Sequence, residues 1–127
     1  MIYTYKLQLK PYSLNKYKTN HFILYKIKQA YAEEIYWQLV TQKTKPVQTP
    51  IAIQFIFHYK TTNWDLDNTA VLQKFIIDVL KPSGVKNTYG LGVIPDDSVK
   101  YIVKICYAPG HRQDGTIDVI LHEVCNP

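Results

Sequence analysis

Apolar and polar residues alternate over residues 2–10, with Tyr3, Tyr5, Leu7 and Leu9 on one side and Thr4, Lys6, Gln8 and Lys10 on the other. A period of two marks a strand with one face in the core and one in water. Pro11 ends it, and the polar, basic run 11–20 reads as a loop. The period then changes. Leu24, Ile27, Tyr31, Ile35 and Leu39 recur at three- and four-residue steps, which predicts an amphipathic helix to about Val40, capped by Thr19 or Asn20. After a polar connector with two prolines, Ile51, Ile53, Phe55, Phe57 and Tyr59 alternate with Ala52, Gln54, Ile56 and His58. Both faces are fairly apolar, which suits a central strand.

Asp67-Asn68 can start a second helix with the stripe Val71, Leu72, Phe75, Ile76, Val79 and Leu80, stopped by Lys81-Pro82-Ser83-Gly84. A glycine-containing loop over 85–95 leads to Asp96-Asp97 and a third strand, where Tyr101, Val103, Ile105 and Tyr107 alternate with Lys100, Ile102, Lys104 and Cys106. Ile117, Val119 and Leu121 predict a fourth strand, paired back on the third as a hairpin. The order β-α-β-α-β-β predicts an α/β (α+β) chain, a two-layer sandwich of a small mixed sheet and two helices. No repeat, low-complexity tract or internal boundary interrupts it, so residues 1–127 read as a single domain, long enough to bury a core unaided.

Charge changes this picture more than composition does. The net charge is +5, but residues 1–63 carry nine lysines against Glu33 and Glu34, while residues 64–127 carry five lysines and Arg112 against eight acids. A basic half joined to an acidic half suits polyanion binding beside cation binding, although solvated surface lysines read equally well. Cys106 and Cys125 are far apart with no C-x-x-C spacing, which predicts reduced thiols and a cytoplasmic setting. The start resembles no signal peptide and no apolar run is long enough to cross a bilayer, so no membrane partner is expected.

The chemistry concentrates between Trp64 and Lys100. Asp65 and Asp67 stand where a strand exit meets a helix start, and side chains at i and i+2 of an extended chain share a face. Asp97, opening the next strand, is expected to reach the same point. Carboxylates so close repel, and a hard cation such as Mg²⁺ removes that cost, using only one or two protein carboxylates with water and phosphate. Lys74 lies off the helix's buried stripe and nearly in line with Asp67, roughly 10 Å along the axis. Each residue also has a plain role: Asp67 as a helix cap, Asp96-Asp97 as a β-turn, Lys74 as a partner of Asp78. Lys16 and Lys18 flank Tyr17 in the first loop, an arrangement able to meet a phosphate backbone.

Asp65-Leu66-Asp67-Asn68, Lys74, Asp78-Val79-Leu80, Gly92 and Asp96-Asp97 together resemble the pattern of the RusA family of Holliday junction resolvases. Pro11-Tyr-Ser-Leu-Asn15-Lys-Tyr17 resembles that family's loop after the first strand. The lysine stands seven residues after Asp67, where familiar members have four, and Thr61-Thr62-Asn63-Trp64 replaces their arginine run. The resemblance implies a homodimeric, Mg²⁺- or Mn²⁺-dependent endonuclease of phage or prophage type that nicks opposing strands of four-way DNA during recombination and repair. It implies Asp65, Asp67 and Asp97 as metal ligands, Lys74 as a catalytic cation and Asp96 beside the ligands. A broader nuclease for branched DNA and a non-catalytic junction-binding protein are the competing expectations.

Overall fold

The computed structural model describes residues 4–12, 20–43, 45–47, 50–60, 66–84 and 89–124, apart from the side chains of Thr4, Tyr5 and residues 66–68. Four strands and two helices follow in the order β1 (Thr4–Leu9), α1 (His21–Gln42), β2 (Ile51–Phe57), α2 (Leu66–Leu80), β3 (Ile102–Pro109) and β4 (Ile117–Glu123). The class is α+β. The helices cover one face of a four-stranded mixed sheet ordered β1-β4-β2-β3, in which β4 is antiparallel to β1 and β2, and β2 is parallel to β3.

The expected β3–β4 hairpin does not form. β4 inserts between β1 and β2, and the segment 110–116 carries the chain over the end of β2, where Gly110 N–H donates to the Phe57 carbonyl and His58 N–H to the Thr116 carbonyl. Burial explains the choice. Ile117, Asp118, Val119 and Leu121 are all buried in β4, whereas Ile102 is the only fully buried residue of β3. The strand whose residues are mostly buried takes a central position, and the strand with mostly exposed positions takes an edge.

The core lies between sheet and helices. Leu7, Leu9, Ile51, Ile53, Phe55, Phe57, Ile117, Val119 and Leu121 point into it from the strands. Ile27, Tyr31, Ile35 and Leu39 meet them from α1, and Leu72, Phe75, Ile76, Val79 and Leu80 from α2. Each of these large side chains contributes about 1.5–3 kcal/mol when fully buried. Asn20 caps α1, its side-chain oxygen accepting from Ile23 N–H at 3.2 Å, and Lys43 ends it in the left-handed region at φ 54°.

Helix α1 also closes the β1 edge of the sheet. Gln38 donates to the Gln8 carbonyl at 2.7 Å and accepts from Gln8 N–H at 2.8 Å, and Gln42 donates to the Lys6 carbonyl at 2.7 Å. Tyr31 reaches the Lys10 carbonyl at 2.6 Å. Side-chain amides here satisfy backbone groups that an edge strand would leave open.

At the other helix, residues 91–94 run past the end of α2. Leu91 N–H, Ile94 N–H and Gly92 N–H donate to the carbonyls of Val79, Leu80 and Lys81, at 2.7, 3.0 and 3.0 Å. Carbonyls that a helix end leaves unpaired are thereby bonded. Gly92 makes the necessary left-handed step at φ 69°.

Candidate functional site

The acidic motif follows β2 directly. Asp65 lies outside the described residues, as do Lys16, Tyr17 and Lys18 of the first loop. Asp67 is in the first turn of α2, with its side chain outside the description. The structure therefore fixes where the motif's helix begins: beyond the C-terminal end of β2, next to the C-terminal end of its parallel neighbour β3. Lys74 is exposed on the same helix.

Three hydroxyls join these elements. Tyr59, just past β2, bonds the Thr69 hydroxyl at 3.0 Å and also the Tyr107 hydroxyl of β3. Thr69, in the second turn of α2, is only 2% exposed. Burial first, and then the bond to Tyr59, push the Tyr107 phenol well above its ordinary value, so it stays protonated. Phe57 stacks on Tyr59 and meets Tyr107 edge-on. The start of α2 is thus pinned to both parallel strands.

Asp96 and Asp97 lie elsewhere. Lys81, one residue past α2, places its ammonium 3.1 Å from Asp97 Oδ2 and 3.5 Å from Asp78 Oδ1, and Lys28 stands 4.0 Å from Asp78. Asp97 N–H donates to Asp96 Oδ1 at 2.8 Å. The hydrogen bond from Lys81 holds the Asp97 carboxyl below its usual range, and reciprocally raises Lys81. The sequence expectation brought Asp97 to Asp67. The structure instead sets it beside Asp78, which is eleven residues after Asp67, about 16 Å along the helix axis. The cause is local: residues 91–94 bond the last carbonyls of α2, so the loop they belong to is held at that end. Asp97 also precedes β3 by several residues rather than opening it.

Among the described residues, no three His, Cys, Asp or Glu side chains gather at one point. Within one chain the oxygen donors nearest the start of α2 in sequence are Asp65 and Asp67. Two carboxylates suffice for Mg²⁺ when phosphate and water complete its shell, so residues of this type could hold the ion without Asp97.

The sequence reading missed a buried charged cluster at the same end of β2. Asp118, 3% exposed, accepts from His58 Nε2 at 2.9 Å and from Arg112 Nη2 at 3.1 Å, with Lys6 at 4.0 Å. Arg112 N–H donates to His58 Nδ1 at 3.2 Å, which puts the ring proton on Nε2, facing Asp118. Arg112 also pairs with Asp114 at 2.8 Å, and Asp114 accepts from the Thr116 hydroxyl at 2.6 Å. Burial pushes the Asp118 carboxyl up, but the bonds from His58 and Arg112 outweigh it and leave the group below its usual value. Both histidine nitrogens are engaged, so the His58 ring has no lone pair to offer a substrate and serves to clamp the segment 110–116 onto β2. The available signal was a single charge, Asp118, inside the apolar run Ile117 to Leu121. Beside the clamp, a cavity of about 460 Å³ opens between Lys10, Tyr59, Lys60 and Thr116.

Cys106 is a free, partly buried thiol, and Cys125 lies outside the described residues. No helix among the described residues is long and apolar enough to cross a membrane. No protein-family model matches this chain, and no curated protein matches its sequence.

Proposed function

We propose that this chain is a divalent-metal-dependent endodeoxyribonuclease that cuts four-way DNA junctions by paired nicks. One observation carries the reading. Asp67-Asn68 of the D-x-D-N motif lie in the first turn of α2, beyond the C-terminal ends of two parallel strands, the edge of an open α/β sheet where ligands collect.

In this reading Asp65 and Asp67 supply the oxygen ligands of Mg²⁺ or Mn²⁺. The bound ion supplies Lewis-acid chemistry, lowering the pKa of a water and neutralising charge on the scissile phosphate. Lys74 adds a point charge on the same helix. Lys10 and Lys60, at the rim of the neighbouring cavity, offer cations to the flanking backbone phosphates. Tyr59, Thr69 and Tyr107 hold the helix start in place while a charged polymer binds against it. A homodimer would present two such sites to a substrate of two-fold symmetry. A site that also uses Asp97 needs that residue from a second copy, because within one chain it pairs with Lys81 at the far end of α2.

That pairing supports a second reading, a junction-binding protein without catalysis, in which Asp97 serves only to close the α2 loop. Incubating the chain with a synthetic four-way junction in Mg²⁺ or Mn²⁺, beside linear duplex and flap controls, separates the two. Symmetric, metal-dependent nicks in the junction, lost in Asp67→Asn with binding retained, are the expected result. Cutting of flaps or duplex as well would broaden the substrate class. Binding without cleavage in either metal would leave the non-catalytic protein.

A further inference from the structure

Helix α1 has two faces that water should not see, and the sheet covers one of them. Ile27, Tyr31, Ile35 and Leu39 pack into the core. On the opposite side Phe22 is 66% exposed, Tyr36 49%, Trp37 60% and Val40 50%. Large apolar side chains gathered on the water-facing side of a helix, rimmed by polar ones, mark an interaction surface. The outer face is also spaced. Phe22, Lys26, Gln29, Glu33, Tyr36 and Val40 follow one another at steps of four, three, four, three and four, and all six are exposed. That is the spacing of the a and d positions of a coiled-coil seam.

We infer that the outer face of α1 is a homodimer interface, in which two copies of the helix pack antiparallel about a two-fold axis level with Tyr31. The residue chemistry selects both the partner and the direction. An antiparallel seam in this register sets Phe22 against the partner's Val40, Lys26 against the partner's Tyr36 and Gln29 against the partner's Glu33. Tyr25 then flanks the partner's Trp37. Each contact matches: apolar on apolar, an ammonium over an aromatic ring, an amide donor on a carboxylate, and ring on ring. The two-fold axis makes every one of them occur twice. A parallel pairing would instead put Lys26 on the partner's Lys26 and Glu33 on the partner's Glu33, stacking like charges in the seam. The surface is already ordered for the role, since Tyr36 and Trp37 meet edge-on at 5.4 Å and Lys26 lies over Phe22 at 4.8 Å. At 22 residues, α1 presents about 33 Å of seam.

The inference deepens the paired-nicking reading by naming its dimer surface, but it stands on the helix alone and is tested without cleavage. Sedimentation equilibrium of the full chain should show a dimer. The double variant Trp37→Glu/Val40→Glu should weaken association by about 100-fold or more, because two exposed aromatic and aliphatic anchors are lost and four like charges enter the seam. Both positions are exposed, so its far-UV circular dichroism should match that of the unchanged chain. Direction is read by cross-linking with Cys106 and Cys125 replaced by serine. A Phe22→Cys/Val40→Cys chain should form an oxidised dimer readily, and either cysteine alone should not. A monomer at concentrations up to about 100 μM, a dimer indifferent to the double variant, or cross-linking by Phe22→Cys alone would each overturn the inference. Junction nicking by a monomer would overturn it while leaving the nuclease reading intact, and a seam-dependent dimer that never nicks would do the reverse.

Discussion

The Lys81 ammonium stands 3.1 Å from the Asp97 carboxylate, so the cation that neutralises this aspartate is supplied by the chain itself. The pair is partly exposed, and such pairs contribute about 0.2–1 kcal/mol. A double-mutant cycle of Lys81→Ala and Asp97→Asn, read by urea denaturation, should give a coupling in that range. Because Asp97 is held below its ordinary value, its share of stability is present above the unfolded carboxyl pKa of about 3.9 and lost as pH falls through the folded one. Lys81 is raised, so its share is full below the unfolded lysine pKa and lost as pH rises through the folded one. If Asp97 is only a loop closure, Asp97→Asn keeps metal-dependent nicking. If nicking is lost although the fold is kept, Asp97 belongs to the reaction.

Asp118 should matter more to stability than any other charged residue described. It is buried, and it accepts from both His58 and Arg112. Replacing it by alanine leaves the buried His58 N–H without its acceptor, at a cost of about 1–3 kcal/mol, while Arg112 keeps Asp114 and Thr116. Its carboxyl lies below the ordinary value, so the clamp contributes above about pH 4 and is lost as pH falls through the folded pKa. Denaturation midpoints measured from pH 3 to pH 7 should rise with pH in the unchanged chain and rise less in Asp118→Asn. Equal acid limbs in the two proteins would show that the clamp contributes nothing there.

Gly110 is required by a contact rather than by a turn. A methyl group added there would overlap the His58 ring, which is itself held from both nitrogens. Neither partner can move cheaply. Gly110→Ala should therefore destabilise the fold by about 1–3 kcal/mol, while Gly84→Ala, which meets nothing within 4 Å, serves as the control. Comparable midpoints for the two variants would show that the segment 110–116 shifts without cost.

The elements were legible in the sequence because each has one dominant period, and α1 and α2 begin and end within a few residues of their signals. Pairing was not. A hairpin between β3 and β4 is the simplest reading of two successive strands, and composition does not argue against it, since β4 carries Asp118, His122 and Glu123 where β3 carries only Lys104; the difference shows in burial, not in residue type. The start of α2 was readable from Asp67-Asn68, but the position of Asp97 was not. It depends on backbone bonds from residues 91–94 to the helix end, of which Gly92 alone is a mark in residue type. The clamp was hidden for a similar reason, since His58, Arg112 and Asp118 meet only through the crossover that the hairpin reading excluded.

If the substrate is a nucleic acid, salt will reveal which lysines meet it. Each phosphate contact releases condensed counterions, so affinity falls with salt in proportion to the number of cations engaged. Lys10 and Lys60 line the cavity at the end of β2, whereas Lys28 and Lys81 are committed to Asp78 and Asp97. Junction binding should therefore weaken steeply between low and moderate salt. Lys10→Ala and Lys60→Ala should each weaken it and flatten the slope of log affinity against log salt by about one. Lys74→Ala should reduce nicking more than binding, because its charge is assigned to the reacting phosphate. Fluorescence anisotropy of a labelled four-way junction over a salt series measures these slopes directly. A flat series in the unchanged chain would remove nucleic acid as the ligand; a steep one untouched by Lys10 and Lys60 would move the DNA path to another face.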